Sequence, residues 1–302
     1  MNERHVFYCD NTLEGIFSGV YQAWDARVGH GCVELRTEEP ENMELFCVYH
    51  RVKTSLTEAE KVRRTIARQL GPRILEEICF AACADDPKKG TAIYRTLVEC
   101  LSVHGTLYKK KSLDNLKNPS VRKVTELYRS VWTEYDHYLG FLRFQELPGG
   151  VLAALISPRH DLLLLFQDHF SNRYPRERWI IGDSTRGTLL VHQPGDPCFL
   201  MGNAGKIIEE IRTRRDEGGD YELLFASFCE SISIKEREND KLQKQNLPLR
   251  YREDMVEFHQ KQTIVDKNVS RKIIDKSGRR VIIVGDVVLP VTYRKPHKGI
   301  PL

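Results

Sequence analysis

Apolar residues recur along this chain with two different periods, and the change from one to the other marks out its elements. Leu13, Ile16, Phe17, Val20, Tyr21 and Trp24 fall three or four apart, which predicts an amphipathic helix over 12–27, with Asp10 or Asn11 as its cap and Glu14 at its positive end. The same spacing predicts helices over 57–70, 73–84, 89–103 and 120–138, the last carrying a stripe of Val121, Val124, Tyr128, Val131 and Tyr135. Gly71 and Pro72 separate the first two of these. Short runs at 5–9 and 45–49 read as strands, and 27–42, rich in Gly and Glu, as a loop. The first 138 residues therefore predict a mainly helical body.

The densest apolar stretch is 134–192. Leu142–Glu146 and Val151–Ser157 are strand-like runs joined by Pro148, Gly149 and Gly150, a link of the kind that closes a hairpin. Ser157 and Pro158 then read as the cap and first residue of a helix. On it Leu162, Leu165, Phe166, His169, Phe170 and Arg173 share one face. Strands follow at 179–183 and 188–192, and 196–205 reads as a loop. Helices are expected over 206–215 and 221–234, and Pro248 interrupts a charged stretch before a last short helix. Past His259 the runs 271–275, 281–284 and 287–293 are β-branched and split by Ser277-Gly278 and Gly285-Asp286, a hairpin or meander. The expected fold class is α+β, a mainly helical body around a small antiparallel β-sheet, with a basic β-hairpin tail. The expected division is a domain over 1–259, holding the strand-helix-strand unit 134–192, and an extension over 260–302.

With 302 residues at 41% apolar, the chain can bury a good core. It has no apolar run near the ~20 residues of a membrane span and no secretory signal before Asp10, so a soluble, cytoplasmic protein with no membrane partner is expected. Its eight cysteines form no CxxC pair and read as buried reduced thiols. The net charge of +4 is uneven: nine Lys or Arg against two Asp after residue 266 give +7 there and leave −3 on residues 1–266. A second basic run, 108–123, sets six Lys or Arg against one Asp beside Tyr108. Either run could hold a phosphate backbone, or simply be a solvated segment.

No P-loop, dinucleotide fingerprint, HExxH or GxSxG motif occurs. Glu134 and His137 have the Glu-x-x-His spacing of di-iron bundles, but no second copy exists, and neither a metal nor a cofactor is expected. The segments HYLGFLRF (137–144), DHFSNRYP (168–175), WIIGDSTRG (179–187) and LPLRYREDMVEF (247–258), with FYCDNTLEGIFSGVYQA (7–23) before them, resemble a bacterial family described as probable DNA metabolism proteins, over residues 5–258. The resemblance implies a role beside a radical-SAM protein thought to act on DNA, or ahead of a uracil-DNA-glycosylase-like domain. Residues after 258 do not carry the glycosylase pattern, so that chemistry is not carried over.

The polar members of the matching segments are the candidate site. His137, His169 and Asp183 are candidate acids or bases; Arg143, Arg173 and Arg186, with Lys109, Lys110, Lys111, Arg279 and Arg280 of the basic runs, are candidate nucleic-acid contacts. His169 and Arg173, four apart, can point to one spot, either a phosphate-binding groove or a core edge where Arg173 pairs with Asp183. The expected function is an accessory nucleic-acid-binding protein in DNA metabolism or repair, working with a separate radical-SAM or glycosylase-type enzyme and without independent activity of its own. An enzyme acting on a damaged nucleobase, and a protein-interaction scaffold without DNA affinity, are the alternatives.

Overall fold

A computed structural model describes residues 3–39, 42–105, 108–109, 111–147, 149–216, 239–252, 254–255, 273–274, 280–284 and 287–290. The amino-terminal unit is a three-stranded parallel sheet with β1 (Arg4–Tyr8) between β2 (Val33–Arg36) and β3 (Cys47–Arg51). The 27–42 stretch is thus not all loop. Val33 and Leu35 are buried beside β1, a two-residue alternation too short to stand out among glycines and glutamates. Helix α1 (Leu13–Asp25) is capped by Thr12, whose hydroxyl accepts the Gly15 N–H at 3.0 Å. Asp10 is not the cap, because its carboxylate accepts the Thr54 hydroxyl instead.

Helices α2 (Leu56–Gln69), α3 (Pro72–Ala82), α4 (Lys89–Ser102) and α5 (Pro119–Phe141) form the body, each within a few residues of its expected span. Their inward residues, among them Ile66, Ile78, Ile93, Val124 and Val131, belong to one apolar core with Phe7 and Leu35 of the first sheet. Helix α4 comes so close to β2 that a Cβ on Gly90 would lie 2.6 Å from the Leu35 carbonyl oxygen.

The second sheet corrects the expected small antiparallel one. It has five strands in the order β4 (Gln145–Leu147), β5 (Val151–Ile156), β6 (Arg178–Asp183), β7 (Thr188–His192) and β8 (Phe199–Met201). Its β5 and β6 run parallel, while the other pairs are antiparallel. A parallel neighbour needs a crossover, which α6 (Leu163–Arg173) supplies. Both faces are covered: Ile156, Trp179, Ile181 and Leu190 pack with α6 on the main core, and Ala153, Leu155 and Leu189 pack with Ile208 and Ile211 of α7 (Gly205–Asp216). That two-sided burial is why VLAALI is continuously apolar rather than alternating.

The helix expected from Pro158 begins only at Leu163, and 157–162 is a loop. The expected loop 196–205 contains β8, the sheet's exposed edge. After Asn239 come α8 (Asp240–Asn246) and α9 (Leu249–Arg252), parted at Pro248 as expected. The helix expected over 221–234 lies outside the described residues. In the tail, β9 (Ile273–Ile274), β10 (Arg280–Val284) and β11 (Val287–Pro290) pair antiparallel in the order β11-β10-β9. Among the described residues no helix is long and apolar enough to cross a membrane.

Candidate functional site

The loop 157–161, Ser-Pro-Arg-His-Asp, leaves the carboxyl end of β5, and its backbone N–H groups are bound by side chains or backbone of other elements. Ser157 N–H reaches Asp254 Oδ2 at 3.0 Å and the Tyr138 hydroxyl at 3.3 Å. Pro158 has no N–H to bind. Arg159 and His160 donate to the two oxygens of Glu134, at 3.0 and 2.8 Å. The Asp161 N–H takes the Cys83 carbonyl at 3.0 Å. A helix cap at Ser157 would need the following amides free to start a helix, and here tertiary carboxylates have taken them.

The carbonyls are held as well. Arg186 donates to the Pro158 and Arg159 oxygens at 3.2 and 2.6 Å, and its other bond, 3.0 Å, goes to Asp183 Oδ2. Asp183 closes its own turn by accepting the Thr185 and Arg186 N–H groups on Oδ1. The His160 ring bridges outward: Nδ1 accepts the Asp85 N–H at 3.0 Å, which leaves Nε2 to donate to Ser130 Oγ at 2.9 Å. The loop is thus fastened from α5, the 83–85 turn, the end of β6 and the α9 segment.

The charges are layered. Glu134, Asp183 and Asp254 are buried at 2, 0 and 8% exposure, while the cations beside them reach solvent. Arg250 NH1 lies 3.5 Å from Glu134 and its side chain is 54% exposed. Arg186 is partly exposed, and Arg159 is exposed with no hydrogen bond or ion pair for its guanidinium among the described residues. Arg186 thus binds two carbonyls of the loop, Arg250 stands beside the carboxylate that holds its amides, and the side chain of Arg159 leaves the loop into solvent. Burial pushes the Asp183 carboxyl above its ordinary range despite the Arg186 pair, and burial lowers His160. The Tyr138 hydroxyl is raised by burial and then by Asp254, so it stays a neutral donor and acceptor.

Of the residues singled out from the sequence, Asp183 and Arg186 meet directly. His137 lies at the rim of the same centre, with Nδ1 3.2 Å from the Tyr251 hydroxyl. Arg143 NH1 caps the end of α5 through the Gly140 and Leu142 carbonyls, at 2.8 and 3.2 Å. His169 is half-buried edge-on to Phe170, and Arg173 lies over Tyr174 with Nε 3.2 Å from its hydroxyl. Asp183 therefore pairs with Arg186 and not with Arg173. Because α6 returns against the strand direction, Arg173 ends near the amino end of β6, ~16 Å by strand rise from Asp183. The six expected side chains do not gather in one place.

Lys109 is half-buried, Lys111 and Tyr108 are exposed, and Lys110 and Arg279 lie outside the described residues; Arg280 opens β10. Glu134 and His137 face different partners, and no group of three or more metal-ligating side chains occurs among the described residues. Sequence reasoning missed Glu134 as an acceptor, along with Tyr138, Ser157, Arg159, His160, Arg250 and Asp254. The one available signal was that charged or polar residues stand at inward positions of α5: Glu134 continues the stripe of Val124, Leu127 and Val131.

A family model described as a domain of unknown function (DUF4130) matches residues 87–257. The match takes in every element of this centre except the 83–85 turn, and it leaves out the amino-terminal strand and helix of the resemblance noted from the sequence. Neither the curated proteins nor the solved structures contain a match to the chain.

Proposed function

The chain belongs to the DUF4130 family, whose function is unknown, and we propose that it is an accessory nucleic-acid-binding protein of DNA metabolism, gripping phosphate through Arg159, Arg186 and Arg250 around the clamped loop. The observation that carries this reading is the layering of charge. Buried carboxylates fix the backbone, and the guanidinium groups they neutralise only in part stand outward on a rigid support. Guanidinium suits phosphate because its fork of donors matches the oxygens in pairs. A pre-fixed loop also loses little freedom when the ligand arrives.

The same geometry favours binding over catalysis. Glu134, Asp183 and Asp254 all accept backbone N–H groups, so none is a general base with oxygens directed at a ligand. We assign the chemistry to a separate enzyme, such as the radical-SAM protein that the family resemblance implies, with this chain holding the DNA.

The test is oligonucleotide binding across a salt series with wild type, Arg159→Ala and Arg173→Ala. Wild-type affinity should fall steeply with salt, and Arg159→Ala should weaken binding and reduce the log–log slope by about one. Arg173→Ala, outside the centre, should leave the slope unchanged. DNA affinity that is absent, or indifferent to salt, removes the proposal.

A further inference from the structure

We infer that two copies of this chain pair along β8, antiparallel about a twofold axis at Leu200, and so join their five-stranded sheets into one. Among the described strands β8 is an edge: β7 binds one side of it, and the main-chain groups of its other side meet no described strand. Phe199, Leu200 and Met201 are 46, 47 and 37% exposed, although successive side chains of a strand point to opposite faces. The register explains this. Phe199 and Met201 stand beside Val191 and Leu189 on the face that α7 covers, and Leu200 stands beside Leu190 on the face of the main core. Both apolar layers of the sheet therefore run out to β8 and stop there uncovered. That is the composition of an inner strand at an outer position.

The opposite edge is built differently. On β4 the exposed residue is Glu146, and a charge on an edge strand is a device that keeps another strand away. Within β8 there is neither a charge nor a proline.

The occupant follows from the edge's own symmetry. Alternating N–H and C=O groups along a strand are matched in full by another extended strand. Paired antiparallel about Leu200, β8 complements itself: Leu200 faces Leu200 of the second copy on one side of the sheet, and Phe199 faces Met201 of the second copy on the other. Charge agrees with this pairing. No charged residue lies between Asp196 and Lys206, so none is buried along the seam. The same pairing brings the Asp196 end of each copy to the Lys206 end of the other, and both residues are exposed, so opposite signs meet at the two rims. A twofold contact uses the same patch on both copies and stops at two.

Sedimentation velocity of the nuclease-treated full chain over a wide concentration series tests this. Wild type should pass from monomer to dimer and stop there. The axis makes residue 200 its own neighbour, so Leu200→Lys and Leu200→Glu should each weaken dimerisation at least about tenfold by setting like charges opposite one another. An equal mixture of the two should dimerise again. Leu200 is half exposed, so thermal unfolding of both variants should stay close to that of wild type. Phe199→Ser, which lies off the axis and adds no charge, should also weaken the dimer and keeps the test open if an axial charge disturbs the fold. A wild type that stays monomeric because another strand takes the edge, or that grows past a dimer, would overturn the inference, as would folded variants that associate like wild type or a mixture that stays monomeric.

Discussion

Glu134 and Arg159 are joined through backbone, not charge: the carboxylate oxygen Oε1 accepts the Arg159 N–H at 3.0 Å, and the guanidinium of Arg159 turns away to solvent. The acid therefore fixes where the cation starts without neutralising it. Glu134→Ala strands two buried N–H groups and should cost about 3 kcal/mol, against about 1 kcal/mol for Glu134→Gln, which keeps one acceptor. Urea unfolding midpoints of the two variants check the ordering, and equal losses would contradict it.

Removing Arg186 should have a pH-dependent effect. Burial already holds the Asp183 carboxyl above its ordinary range, with Arg186 opposing that rise. A raised carboxyl means the folded state binds the proton more tightly than the unfolded one, so ionising it costs stability at neutral pH. Arg186→Ala should lose about 3 kcal/mol at neutral pH by leaving that carboxylate unpaired, and visibly less as acid protonates Asp183. Thermal unfolding of the variant and wild type at a series of pH values reads this out.

His160 gives the protein an acid limit. Burial, with smaller contributions from Arg159 and Arg186, holds its ring below the ordinary 6.5, outweighing Glu134 and Asp85. The unfolded chain then takes up the proton first, so stability is intact above about 6.5 and falls as pH drops from there through the folded value. Protonating Nδ1 also removes the acceptor for the Asp85 N–H. The protection of the Asp85 amide relative to its intrinsic exchange rate at each pH should fall below 6.5, and His160→Gln should flatten the acid limb of the stability curve.

Gly90 is a packing position rather than a hinge. A methyl there meets the Leu35 backbone oxygen at 2.6 Å, an atom that can move only if β2 moves. Gly90→Ala should cost about 2 kcal/mol despite its better helix propensity, whereas the same change at Gly140, with open space around its Cβ position, should be neutral or stabilising. Denaturant midpoints of the pair distinguish the two sites.

The helices were legible because one face of each is apolar at a spacing only a helix makes: α5 declares itself through Val121, Val124 and Val131. The sheets were less so. The unbroken apolar run of β5 says that it is buried, yet its parallel partnership with β6 depends on where α6 returns the chain, which period does not encode. The Pro-Gly-Gly link did mark the β4–β5 hairpin. The centre itself was half visible: Asp183 and Arg186 stand three apart and meet, but Glu134 and Asp254 act on backbone N–H groups of a distant loop, and nothing in a side-chain motif identifies that role.

Asp254 lies 97 residues beyond the serine it holds. On a ribosome, β5 and its following loop emerge long before that anchor is made, and a contact closing so large a span must wait for the chain between. The guanidinium cluster is therefore assembled late, and a nascent or truncated product ending before Asp254 would present the sheet with the loop after β5 still unanchored at Ser157.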